Sequence, residues 1–104
     1  MASGILGQTD ITSVNTDTSV YTVPASKTAS LTLSLVNRAS TSALIRIGLC
    51  ASGTIGNSEY IEFETVLAAK GVLERTGIVL QATKQIVVRT DTANISVSAY
   101  GFEE

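Results

Sequence analysis

Two runs of alternating side chains limit what this chain can become. In residues 27–50, KTASLTLSLVNRASTSALIRIGLC, Leu31, Leu33 and Leu35 alternate with Thr32 and Ser34, and Ile45, Ile47 and Leu49 are set between Arg46 and Gly48. Strand side chains point to opposite faces with period 2, so each run carries an aliphatic ladder on one face and smaller or polar groups on the other. The polar break at Asn37–Ser42 is rich in residues that hydrogen-bond their own backbone in turns, which predicts that the two runs fold back as an antiparallel pair. A lone hairpin is marginal in water, so the rest of the chain must cover its apolar face.

The rest of the chain has the same grammar. Residues 19–23 alternate up to Pro24, which ends a strand because it lacks an N–H and holds its predecessor extended. Further strands are predicted at 59–66, 72–80, 85–89 and 95–102, with Gly77 marking a bulge or bend and residues 51–58 (ASGTIGNS) forming a rim loop. In EYIEFETV, alternation puts Ile61 and Phe63 inward and Glu62 and Glu64 outward, with Tyr60 on the glutamates' side. The only helical candidate is TVLAAKG, cut short by Gly71. Turn signals every ~8–12 residues predict an all-β antiparallel sandwich of about eight short strands, jelly-roll-like or immunoglobulin-like. Residues 1–9, small and polar apart from Ile5 and Leu6, predict an N-terminal arm, and residues 10–104 a single sandwich domain.

Composition narrows the function. A chain of 104 residues is one domain that buries roughly 60–70% of its unfolded surface, and 44% hydrophobic against 15% charged residues sets it apart from disordered chains. About a quarter of the residues are Ser or Thr, suited to solvent faces of strands and to turns. With net charge −2 and seven Lys and Arg scattered singly, there is no basic footprint for nucleic acid. No apolar run approaches the ~20 residues of a membrane span, and MASGILGQTD lacks the regions of a signal peptide, so a soluble protein made in a cytoplasm, with no membrane partner, is expected.

The inventory for catalysis is thin. There is no His, and Cys50, the one cysteine, ends an apolar strand as a small buried hydrophobe. Lys27, Lys70 and Lys84 fall in polar turns as solvated side chains. Glu62 and Glu64, about 7 Å apart along one strand face, lack the burial that splits the pKa values of a catalytic pair. Asp10, Asp17 and Asp91 are isolated from one another, and the glycines form no phosphate-binding fingerprint. The expectation is a non-enzymatic protein with no catalytic residues, no cofactor and no metal.

The succession GILGQ, VYTVPASKTASLTLSLVNRAS, EYIEFETVLAAKGVLERTGIVL and VSAYGFEE covers nearly the whole chain and resembles small virion structural proteins of tailed bacteriophages, particularly those of cyanophages and other marine phages. The resemblance implies a capsid decoration (cement) protein, a homo-oligomer and most readily a trimer, assembled in the host cytoplasm and bound in the virion to the major capsid protein or another virion protein. A tail, neck or fibre component, as adaptor or host-glycan-binding tip, is the alternative. The expected contact residues are Ile5 and Leu6 in the arm, Ile55 and Asn57 in the 51–58 loop, and Tyr60, Glu62 and Glu64 on the acidic strand. Arg38, Arg46 and Arg75 are expected either to pair with a neighbour's glutamates or to solubilise the sheet. Tyr60 and Tyr100 are interface-type aromatics that either a neighbour or the domain's own loops could cover.

Overall fold

A computed structural model describes residues 2–104, so Met1 of the expected arm lies outside the described residues. Among these residues the chain forms eight strands and no helix: β1 (Ala2–Ile11), β2 (Thr18–Thr22), β3 (Ala29–Asn37), β4 (Ala43–Cys50), β5 (Tyr60–Leu67), β6 (Val72–Leu80), β7 (Gln85–Thr90) and β8 (Ile95–Glu103). They form two four-stranded antiparallel sheets, one ordered β1-β8-β3-β6 and the other β2-β7-β4-β5. The pairs β1 with β8, β2 with β7, β3 with β6 and β4 with β5 are those of one long hairpin rolled up with its tip between β4 and β5. This is the jelly-roll order, and it decides between the two sandwich topologies left open by the sequence.

The strand order corrects the expected hairpin at residues 27–50. β3 lies in the first sheet and β4 in the second, and only the β4–β5 connection joins strands of one sheet. The ladders Leu31, Leu33, Leu35 and Ile45, Ile47 share one core, approached from opposite sheets. Period-2 alternation names the face a side chain occupies and is silent about the neighbouring strand. Burying each of these aliphatic side chains contributes about 1.5–3 kcal/mol, so the ladders are the main thermodynamic anchor of the fold. The expected arm is likewise part of a sheet: β1 pairs with β8 from Ala2 to Ile11, and Leu6 packs on the core. TVLAAKG is the end of β5 and a turn.

Five register shifts interrupt the ladders among the described residues, and each places its extra residue in an edge strand. They fall at Leu6 in β1, Val20 in β2, Ile61 and the Phe63–Glu64 step in β5, and Thr76–Gly77 in β6. The ladders of the central strands, β3 with β8 and β4 with β7, run without a break. A bulge bends and twists its strand, and twisted edges resist pairing with a further strand. Gly77 supplies its bulge with a φ of 72°, a conformation that suits glycine. In β2 the bulge turns both Val20 and Tyr21 into the core, where strict alternation separates them.

One end of the sandwich is held by a buried amide. The Asn37 side chain is fully buried, with Nδ2 donating to the carbonyls of Thr41 (2.9 Å), Leu67 (3.2 Å) and Ala68 (3.3 Å) and Oδ1 accepting from Ala39 N–H (2.9 Å). It ties the β3–β4 connection to the β5–β6 turn. At an edge of β2, the Tyr21 hydroxyl donates to Glu103 of β8 and so links the two sheets; burial first, then that carboxylate, push the phenol pKa well above its usual value.

Candidate partner surfaces

On the outer face of the first sheet, strand register lines up four rows: Ser3, Phe102, Ser30 and Val79; Ile5, Tyr100 and Thr32; Gln8, Ser98, Ser34 and Glu74; Asp10, Ser96, Val36 and Val72. The first two rows bring together Ile5 (65% exposed), Phe102 (44%), Val79 (63%) and the ring of Tyr100 over a floor of Ser30 and Thr32. The four rows contain no Lys or Arg; apart from Tyr100, their ionisable side chains are Asp10 and Glu74. Arg38, beyond the end of β3, donates to Asp10. The Tyr100 hydroxyl donates to Glu74 (3.1 Å), which raises the phenol pKa. The aromatic and aliphatic patch occupies one end of this face, and at the other the carboxylates Glu74 and Asp10 are interleaved with aliphatics, Val72 among them at 62% exposure.

The outer face of the second sheet is built differently. Arg46 and Arg89 stand directly opposite one another in the β4–β7 ladder, a like-charge juxtaposition that costs stability unless each cation is drawn aside. Glu64 accepts from Arg46 Nε at 2.8 Å, and Asp17 accepts from Arg89 at 3.4 Å. A cleft of about 80 Å³ lies between them, bordered by Asn15, Leu44, Thr90 and Asp91, well below the ~300–1,000 Å³ of a small-molecule pocket. The Arg46 guanidinium lies 4.5 Å from the centroid of Phe63, and Phe63 meets Tyr60 edge to face at 5.0 Å.

The β5 bulge explains that cluster and reverses an expectation. Ile45 pairs with Thr65 and Ile47 with Glu62, so two residues, Phe63 and Glu64, oppose the single Arg46. Glu64 takes a φ of 54°, a conformation uncommon for a side chain of its size. The extra residue turns Phe63 out to 59% exposure and sends Glu62 inward. Glu62 there accepts from the Thr65 hydroxyl (2.6 Å) and from Arg75, which reaches across from β6 in the opposite sheet. The Thr65 hydroxyl first, then Arg75, hold the Glu62 carboxyl below its ordinary range.

The expected contact residues therefore separate into those facing solvent and those engaged within the chain. Ile5 is exposed on the first sheet, Asn57 on the β4–β5 loop and Glu64 beside Arg46, while Tyr60 is half-buried. Leu6 packs on the main core, and Ile55 sits in a second small cluster with Cys50, Val87 and Tyr60. Arg38, Arg46 and Arg75 pair within the chain, with Asp10, Glu64 and Glu62. Cys50 is fully buried, and burial together with the nearby Glu59 carboxylate pushes its thiol up to about 11. Val79 and Phe102 were missed because exposure of an outward apolar residue has no sequence signature. Val87 did have one: the unbroken run Ile86-Val87-Val88 marks a strand covered on both faces.

Fold and surfaces together define a jelly-roll sandwich whose distinctive chemistry is spread over its two outer faces. Compared with known proteins, the chain matches no family model, no curated protein and no solved structure.

Proposed function

We propose that this chain is a non-enzymatic structural protein of a tailed-phage virion, a decoration protein that seats on the major capsid lattice as a homo-oligomer and stabilises it. The observation that carries the reading is the patch of Ile5, Tyr100, Phe102 and Val79 on a face whose four strand rows hold no Lys or Arg, an arrangement suited to burial against another protein. The molecule's broadest aspect is about 40 × 27 Å, room for the ~800 Å² per partner of a standard interface. Repeated over a shell, contacts of that size add stability because each copy joins more than one subunit. Jelly rolls recur in viral capsid domains and in lectins, an analogy at the level of fold alone.

Lectin-like use is the second reading, a tail or fibre tip, and the exposed Phe63 stacked with Arg46 is what favours it, since a solvent-facing ring is a platform for a sugar. Cryo-electron microscopy of the particle tests both. Density for this sandwich repeating over the shell, with the first sheet's outer face against capsid subunits, is expected. Density confined to neck, baseplate or fibres would move the protein to the second reading, and a virion without it would refute both.

A further inference from the structure

The loop between β4 and β5 lies back over the second sheet instead of projecting from the rim. Its Ile55, 9% exposed, packs with Cys50, Val87 and Tyr60 in a cluster separate from the main core. Gly48 makes room for it: a Cβ there would stand 2.7 Å from Ile55 Cγ2 and 2.8 Å from Cys50 Sγ. The loop is fastened by carboxylates. Glu59 accepts from the backbone N–H groups of Gly56 (2.8 Å) and Ala51 (3.0 Å), and Asp17 accepts from the N–H of Ile55 (3.0 Å).

We propose that residues 51–59 form a strap that opens as a unit while the sandwich stays folded, uncovering an apolar seat of Gly48, Cys50 and Val87. The two sides of β4 are separable. Its inward residues Ile45 and Ile47 belong to the main core, and its ladder with β7 includes no strap residue. The side-chain fastenings of the loop are its own Glu59 and one outside carboxylate, Asp17, and a backbone bond from Leu49 N–H to the Glu59 carbonyl (3.0 Å) pins only its β5 end, so lifting the loop up to that point leaves the packing of the main core in place. Small clusters of this kind, with few buried partners, open sub-globally below the cost of full unfolding. The strap thereby controls access to the chain's one thiol.

Cys50 is the reporter. Labelling of the native protein with iodoacetamide at pH 8 is followed across urea concentrations below the unfolding transition, beside hydrogen exchange of residues 51–59. The expected result is labelling that hardly depends on urea, and exchange of the strap amides as one set ahead of β4 and β7. Ile55→Ala, which empties the seat, and Gly48→Ala, which pushes Ile55 out of it, should each speed labelling by about tenfold or more with the urea midpoint little changed. Asp17→Asn should act in the same direction. Labelling that tracks global unfolding, strap amides as protected as those of β7, or loss of the whole fold in Ile55→Ala would each overturn the proposal.

Discussion

Replacing Asn37 tests whether the end of the sandwich is held by its buried amide. Truncation to Ala removes the partner of the buried Leu67 carbonyl and of the half-buried Ala39 N–H, and empties a fully buried side-chain site. A buried polar group left without a partner costs about 1–3 kcal/mol, so the Leu67 carbonyl, with a smaller share from Ala39 N–H and the cavity left by the side chain, puts Asn37→Ala at about 3–4 kcal/mol, a large share of the ~5–15 kcal/mol stability of a domain. In thermal unfolding this is a drop of roughly 12–30 °C, at 4–8 °C per kcal/mol for a domain of this size. Asn37→Asp is the sharper variant. Its carboxylate would face the Thr41, Leu67 and Ala68 carbonyls, acceptors that now receive hydrogens from Nδ2. That setting raises the folded-state pKa of the new Asp above its unfolded value near 3.9, so the penalty is full at neutral pH and shrinks as pH falls through the folded value. Urea unfolding at pH 7 and pH 4 should show this variant closing its gap to the wild type on acidification. A cost below about 1 kcal/mol for Asn37→Ala, or a gap for Asn37→Asp that ignores pH, would refute the reasoning.

The Glu62 carboxyl, held low by Thr65 and Arg75, contributes stability that is present above its unfolded value near 4.5 and lost as pH falls through the lower folded value; in Glu62→Gln the acid side of the urea-midpoint profile should flatten. Val79→Asp with Phe102→Asp should leave far-UV circular dichroism and the unfolding midpoint nearly unchanged, since both side chains face solvent, while co-sedimentation with particles falls by about tenfold or more; undiminished co-sedimentation would remove this face from the interface. Gly101→Ala should destabilise by several kcal/mol in thermal melts, because its Cβ would stand 2.2 Å from the Ser30 carbonyl oxygen at a φ of 152°.

What the sequence made legible was facing, and what it concealed was adjacency and count. Leu31, Leu33, Leu35, Ile45 and Ile47 are core residues as their alternation indicates, and Gly77 marks the bulge it suggested. β1 was hidden because Gly4 and Gly7 interrupt the alternation; Gly7 is there because a Cβ would stand 2.5 Å from the Val20 carbonyl oxygen, so the gap in the pattern is itself a packing requirement. Phe63 and Glu62 exchanged faces because a non-glycine residue, Glu64, supplies the bulge, and nothing in EYIEFETV advertises an extra residue. The acidic partners of Arg38, Arg46 and Arg75 lie 28, 18 and 13 positions away; the β4–β5 hairpin brings Arg46 to Glu64, and the rolled topology brings together the other two pairs.

The placement of the bulges has a genetic consequence. Losing a single codon inside a strand ordinarily shifts its facing pattern and empties the core. Here, removing the inserted residue from an edge strand would straighten the strand while leaving the central ladders as they are, so the shortened protein would still fold yet end in a flat rim open to the next molecule. An in-frame deletion at the exposed Thr76 would then be a gain-of-polymerisation change, seen as a shift to larger species in size-exclusion chromatography.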